Sequence, residues 1–198
     1  FSMGLQYRAA ALAGVVTQFA WGFMEIMVFR AFYRADPGAF PMSFSATASY
    51  VWLQQAFLAL FAPWLMEQEI FSSIVNGNVV YELCRPLSIY NMWFSRSAAT
   101  RLSKAVLRCF PILVVAAFLP SPYGIVPPAS RRHFILFLAA LILGLAMTVS
   151  FCVLIYILAF FTISPQGLQM IFITLTDFFS GGIIPLPFFP EKMREFME

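Results

Sequence analysis

Residues 134–176 read FILFLAALILGLAMTVSFCVLIYILAFFTISPQGLQMIFITLT, a run without one charged side chain. One membrane-crossing helix needs about 20 apolar residues, so the run is too long for a single span. Proline and glycine in Ser164-Pro165-Gln166-Gly167 supply the break. The run therefore predicts two apolar helices, about 134–162 and about 168–184, joined by a short turn. Gly144, Ala146, Thr148 and Ser150 put small residues on the first of them, which lets another helix approach closely.

The composition agrees with that reading. The chain has 198 residues, 61% of them hydrophobic and 11% charged, with a mean hydropathy of +0.83. A soluble domain carries about 25% charged residues. The fold class expected is an all-α integral membrane protein, built as a single transmembrane domain over 1–198. A scattered net charge of +3 argues against nucleic acid as a partner. Cys84, Cys109 and Cys152 are far apart and form no CxxC, so they read as small buried thiols.

Working outward, the first span is about 9–29 and the second about 44–66, separated by a loop with Asp36-Pro37-Gly38. Residues 1–8 could lie along the membrane interface. Glu25 near the end of the first span needs a partner: either Arg30 or a neighbouring helix holds it, or it belongs to a transport pathway. Gln54 and Gln55 in the second span either bond to a neighbouring helix or face a substrate. Pro63 bends or ends that helix. The third span is about 97–119, with Arg101, Lys104 and Arg108 in one stripe that snorkels to headgroups or meets an acidic partner. Pro120, Pro122, Pro127 and Pro128 make the following segment a loop. Asp177, inside the fifth span, is either a structural hydrogen-bond partner or a site residue. Pro185, Pro187 and Pro190 forbid regular helix after it, so 185–198 is expected as a re-entrant or interfacial extracellular segment.

Five transmembrane helices result. The basic residues do not orient them. Arg8, Arg85, Arg96, Arg101, Lys104 and Arg108 on one side equal Arg30, Arg34, Arg131, Arg132, Lys192 and Arg194 on the other.

No GxxxxGK[ST], HExxH or GxSxG occurs. His133 stands without a second metal-ligand type near it in sequence, so neither a catalytic site nor a metal site is expected. The informative stretch is the polar interruption between the second and third spans, residues 67–96. Ile70–Val75 and Val79–Leu83 read as two short amphipathic helices, with Asn76-Gly77-Asn78 as the turn and Arg85-Pro86 as the close. A membrane loop of this length serves a purpose, because connections in compact folds run about 2–8 residues.

Glu69, then Asn76-Gly77-Asn78, then Tyr81-Glu82-Leu83-Cys84-Arg85-Pro86-Leu87-Ser88 resembles the loop after the second span in permeases of type 2 ABC exporters. Ser180-Gly181-Gly182-Ile183-Ile184-Pro185-Leu186-Pro187-Phe188-Phe189-Pro190 is similar to that family's turn after the fifth span. The order of elements agrees with the family's bacterial uncharacterised subgroup, often encoded in pairs beside one ATPase. The family has a sixth span and a cytoplasmic C-terminus, which are expected beyond Glu198.

The resemblance implies a multi-pass permease of the bacterial plasma membrane exporting a hydrophobic or amphipathic substrate. The chain would bind no cofactor itself. ATP and Mg would sit on a partner ABC ATPase subunit, and a second permease chain, in a homodimer or paired heterodimer, would complete the pathway. The loop would be cytoplasmic and would couple to the ATPase through Glu69, Ile70, Phe71, Asn76, Gly77, Glu82 and Arg85. Pathway candidates are Gln54, Gln55, Phe57 and Asp177. The alternatives are an ion-coupled secondary transporter using Glu25 and Asp177, against which no inverted repeat is visible, and a membrane scaffold that transports nothing.

Overall fold

The computed structural model describes residues 8–36, 38, 42–128, 130–162, 164–179, 190 and 192–193. Among these residues the regular structure is helical throughout: α1 Arg8–Ala35, α2 Phe44–Phe61, α3 Gln68–Val75, α4 Val79–Leu83, α5 Ile89–Phe118, α6 Arg131–Leu158 with a 3-10 turn at Ala159–Phe161, and α7 Pro165–Phe179. The fold is thus all-α. The expectations for 1–7 and for most of 185–198 lie outside the described residues.

Serine sets the start of four helices. Ser43 Oγ accepts from Ala46 N–H at 3.2 Å, Ser88 from Asn91 at 3.5 Å, Ser130 from His133 at 3.5 Å and Ser164 from Gly167 at 3.4 Å. Each satisfies a backbone donor that the first turn leaves open. These caps move several expected boundaries. Ser164-Pro165 opens α7 with proline at the first helical position, where its missing N–H costs nothing; the helix begins three residues before the expected Leu168. Likewise α5 starts at Ile89. The last eight residues of the expected loop 67–96 are therefore the first two turns of a long helix. α5 continues through Pro111. α1 runs past Arg30 and Arg34 to Ala35, since basic side chains suit a helix C-terminus. α2 stops at Phe61, because the residue before Pro63 disfavours helical backbone.

α2 and α5 form the central, antiparallel pair; α1 packs against both, and α6 chiefly against α5. One end of the bundle is closed by the loop after α5: Trp52 Nε1 donates to Tyr123 O at 2.8 Å and Val126 N–H to Ser49 Oγ at 2.9 Å. Beneath it lies an apolar core of Val15, Ile26, Val51, Trp52, Ile112 and Ala116. The other end carries α3 and α4, with a second core around Ile70, Phe71, Trp93, Val153 and Tyr156.

Two helical segments, Leu12–Ala35 and Arg131–Phe161, are long and apolar enough to cross a membrane. The other three expected spans fall on α2, α5 and α7. α2 is short and carries two glutamines, α5 carries four basic residues, and the described part of α7 has 15 residues. Cys84 is exposed, unlike the buried thiol expected; Cys152 is buried and Cys109 intermediate.

Candidate functional site

Residues 67–88 fold into a compact helical hairpin. Its turn depends on Gly77, whose φ of +73° lies in the left-handed region. Nothing lies within 4 Å of where a Cβ would stand, so a side chain there meets a backbone penalty and no clash. Gly77→Val should cost about 1–2 kcal/mol, with Gly77→Asn less damaging. Thermal unfolding of the two variants checks this, and a Val variant as stable as the parent would contradict it.

The hairpin is fastened to the bundle at three points. Arg96 on α5 pairs with Glu69 and reaches Glu67 Oε2 at 3.6 Å. Trp93 Nε1 donates to Glu82 Oε2 at 2.8 Å. Glu67 N–H donates to Tyr156 Oη on α6 at 2.7 Å. Between these polar ties Ile70 and Phe71 are buried, Phe71 edge-on to Tyr156 at 5.0 Å. Each such side chain contributes about 2 kcal/mol through burial.

The expected coupling residues therefore divide. Ile70 and Phe71 face the chain's own core, and Glu82 is half-buried under Trp93, so these three anchor the hairpin and do not present its surface. Asn76, Gly77 and Arg85 are exposed, as is Glu69 beside Arg96. The amphipathic pattern could not say which side of each short helix would be covered. The outward surface holds Val80, Tyr81, Leu83 and Leu87, between 56% and 75% exposed. Of these, sequence reading placed no role on any.

Behind the hairpin, Arg101 is 1% exposed. Its Nη1 donates to Leu60 O at 3.1 Å and Ala62 O at 2.9 Å; its Nη2 donates to Leu65 O at 2.8 Å and Cys152 Sγ at 3.1 Å. It thereby ties the end of α2 and the connection after it to α5: Leu60 O lies in the last turn, where partial negative charge collects, Ala62 O also accepts from Leu65 N–H, and Leu65 O lies beyond the helix. The expectation that this stripe snorkels to headgroups fails for Arg101. A basic residue inside an otherwise apolar span was the available signal.

A second feature is an open groove of about 1160 Å³ between α2, α6 and α7. Gln54, Phe57 and Asp177 line it, with Phe61, Met147 and Phe172 among its apolar walls. Three of the four pathway candidates thus come together. Gln55 does not join them: it points to α1, where its Nε2 donates to Glu25 Oε2 at 3.5 Å. Glu25 is accordingly held by a neighbouring helix, while Arg30 lies over the Tyr123 ring at 5.4 Å. Asp177 is the single charged residue among the described lining. Such a groove can hold an apolar or amphipathic molecule. Among the described residues, no three His, Cys, Asp or Glu side chains gather to hold a metal.

No family model, curated protein or solved structure matches this chain.

Proposed function

We propose that the chain is the permease subunit of an ATP-driven exporter of the type 2 ABC class. In this reading it crosses the bacterial plasma membrane several times and moves a hydrophobic or amphipathic molecule, while a separate subunit hydrolyses ATP. The observation that carries the reading is the clasped hairpin, polar at its edges and apolar on its outward face. A loop fastened to α5 and α6 and joined directly to α2 moves only with those helices, so a partner gripping it shifts them as bodies. Membrane placement is supported by exposed apolar side chains along the bundle, such as Ile142 at 69%, Leu143 at 71% and Met147 at 75%. Apolar surface of this extent marks a lipid or protein contact. A second permease chain would face the groove holding Gln54, Phe57 and Asp177.

The test is co-purification with an ATP-binding subunit encoded beside this chain. Tyr81→Glu combined with Leu83→Glu should lower its recovery about tenfold or more, with the chain's own unfolding midpoint unchanged because both side chains are exposed. Transport that survives ATP depletion with the proton gradient intact, and disappears in Asp177→Asn, would replace this reading with the ion-coupled one.

A further inference from the structure

The groove between α2, α6 and α7 is aromatic along its walls and carries one charge. At about 1160 Å³ it exceeds the roughly 300–1,000 Å³ usual for small-molecule clefts, so it suits a bulky apolar body. Two edge-on ring pairs knit the walls together: Phe57 of α2 with Phe137 of α6 at 5.7 Å, and Phe151 of α6 with Phe172 of α7 at 5.4 Å. All four rings line the groove. Aromatic faces carry partial negative charge and attract cations. Asp177 lies more than a turn beyond Phe172 on α7 and is half-buried. It is the single charged residue among the described lining, and it forms no ion pair among the described residues. Cys152 also lines the groove. The Arg101 it touches is 1% exposed and held by three carbonyls, so that cation does not serve Asp177. A carboxylate among apolar side chains needs a counter-charge, and nothing in the described lining supplies one.

We propose that the groove binds a lipophilic monocation, with an ammonium or phosphonium centre beside Asp177 and an apolar body against the Phe57–Phe137 and Phe151–Phe172 walls. Charge sets the class. A neutral molecule leaves the carboxylate unpaired, and an anion is repelled by it. A bulky organic cation sheds weakly held water on entry, whereas a metal ion has to exchange a full hydration shell for a mostly apolar lining. As the identity of the exported molecule, the inference rests on the exporter reading; as a binding site, it stands on the groove alone.

Equilibrium dialysis of the full chain against tetraphenylphosphonium, and against its near-isosteric anion tetraphenylborate, tests the site. The phosphonium should bind saturably. Asp177→Asn, which keeps the shape and removes the charge, should weaken it about tenfold without weakening the borate. Asp177→Glu should stay within about threefold of the parent. Phe151→Leu should cost the phosphonium about two- to fivefold and the borate nothing. Should Asp177→Asn not fold, that selective loss in Phe151→Leu decides instead. No saturable binding of the phosphonium, an Asp177→Asn chain that binds it as the parent does, or folded variants that lose both ions equally would overturn the site and leave the groove to lipid or to a second copy of the chain. No ATPase is present in the measurement. Failure here therefore leaves the exporter reading standing, and failure of co-purification with an ATPase leaves the cation site standing.

Discussion

Arg101→Met will destabilise the chain by about 3–5 kcal/mol, the largest effect of any single polar replacement in the bundle. Methionine fills similar space and removes every donor. The carbonyls of Leu60, Ala62 and Leu65 then lose the group that ties them to α5, and the Cys152 thiol loses its contact. These carbonyls end α2 and begin the connection to the hairpin, so the damage should centre there. Arg101→Lys retains the charge but cannot reach that many acceptors from one nitrogen, and should recover less than half of the loss. Denaturant unfolding of the full chain, followed by helical circular dichroism, checks both values. A methionine variant within about 1 kcal/mol of the parent would mean that water takes over these carbonyls without cost.

Trp93→Ala should cost a similar amount, about 3–5 kcal/mol, for a different reason. Trp93 is 2% exposed and lies between Tyr156 and Phe160, with ring centroids at 5.9 Å and 6.3 Å. Its indole N–H also holds Glu82. Truncation opens a cavity under α3 and α4 and releases one end of the hairpin together. Trp93→Phe keeps most of the packing and loses the Glu82 bond, for about 1–2 kcal/mol. Limited proteolysis gives the local readout: the alanine variant should be cut within residues 67–88 well before the rest of the bundle. Uniform cleavage, or protection equal to the parent's, would show that Ile70 and Phe71 hold the hairpin without the indole.

Local chemistry explains which parts of this architecture were legible from residues alone. The two short helices flanking Asn76-Gly77-Asn78 were readable because glycine is needed for the positive φ and because apolar residues recur on each side. The long apolar helices were readable from uncharged runs. The helix boundaries differ from expectation where polar residues continue a helix: Arg30, Arg34 and Arg96 all sit within helices. A charge interrupts a hydropathy pattern without interrupting a backbone, whereas Ser-Pro and Ser caps do set the backbone's start. The ties that fix the hairpin join residues 11 to 89 positions apart. No local pattern encodes such pairs.

Read along the chain, the residues were enough for an all-α class, the approximate helices among the described residues, the glycine turn and the apolar character of the surfaces. Those follow from propensity, capping and side-chain polarity, which act between near neighbours. Tertiary structure alone decided that Ile70, Phe71 and Glu82 face inward while Tyr81 and Leu83 face out. It likewise decided that Gln54 and Gln55 part company, and that Arg101 meets carbonyls and not headgroups. Helical periodicity places residues on a common face. Which neighbour covers that face, and which carbonyl waits opposite a charge, is set by how distant segments pack.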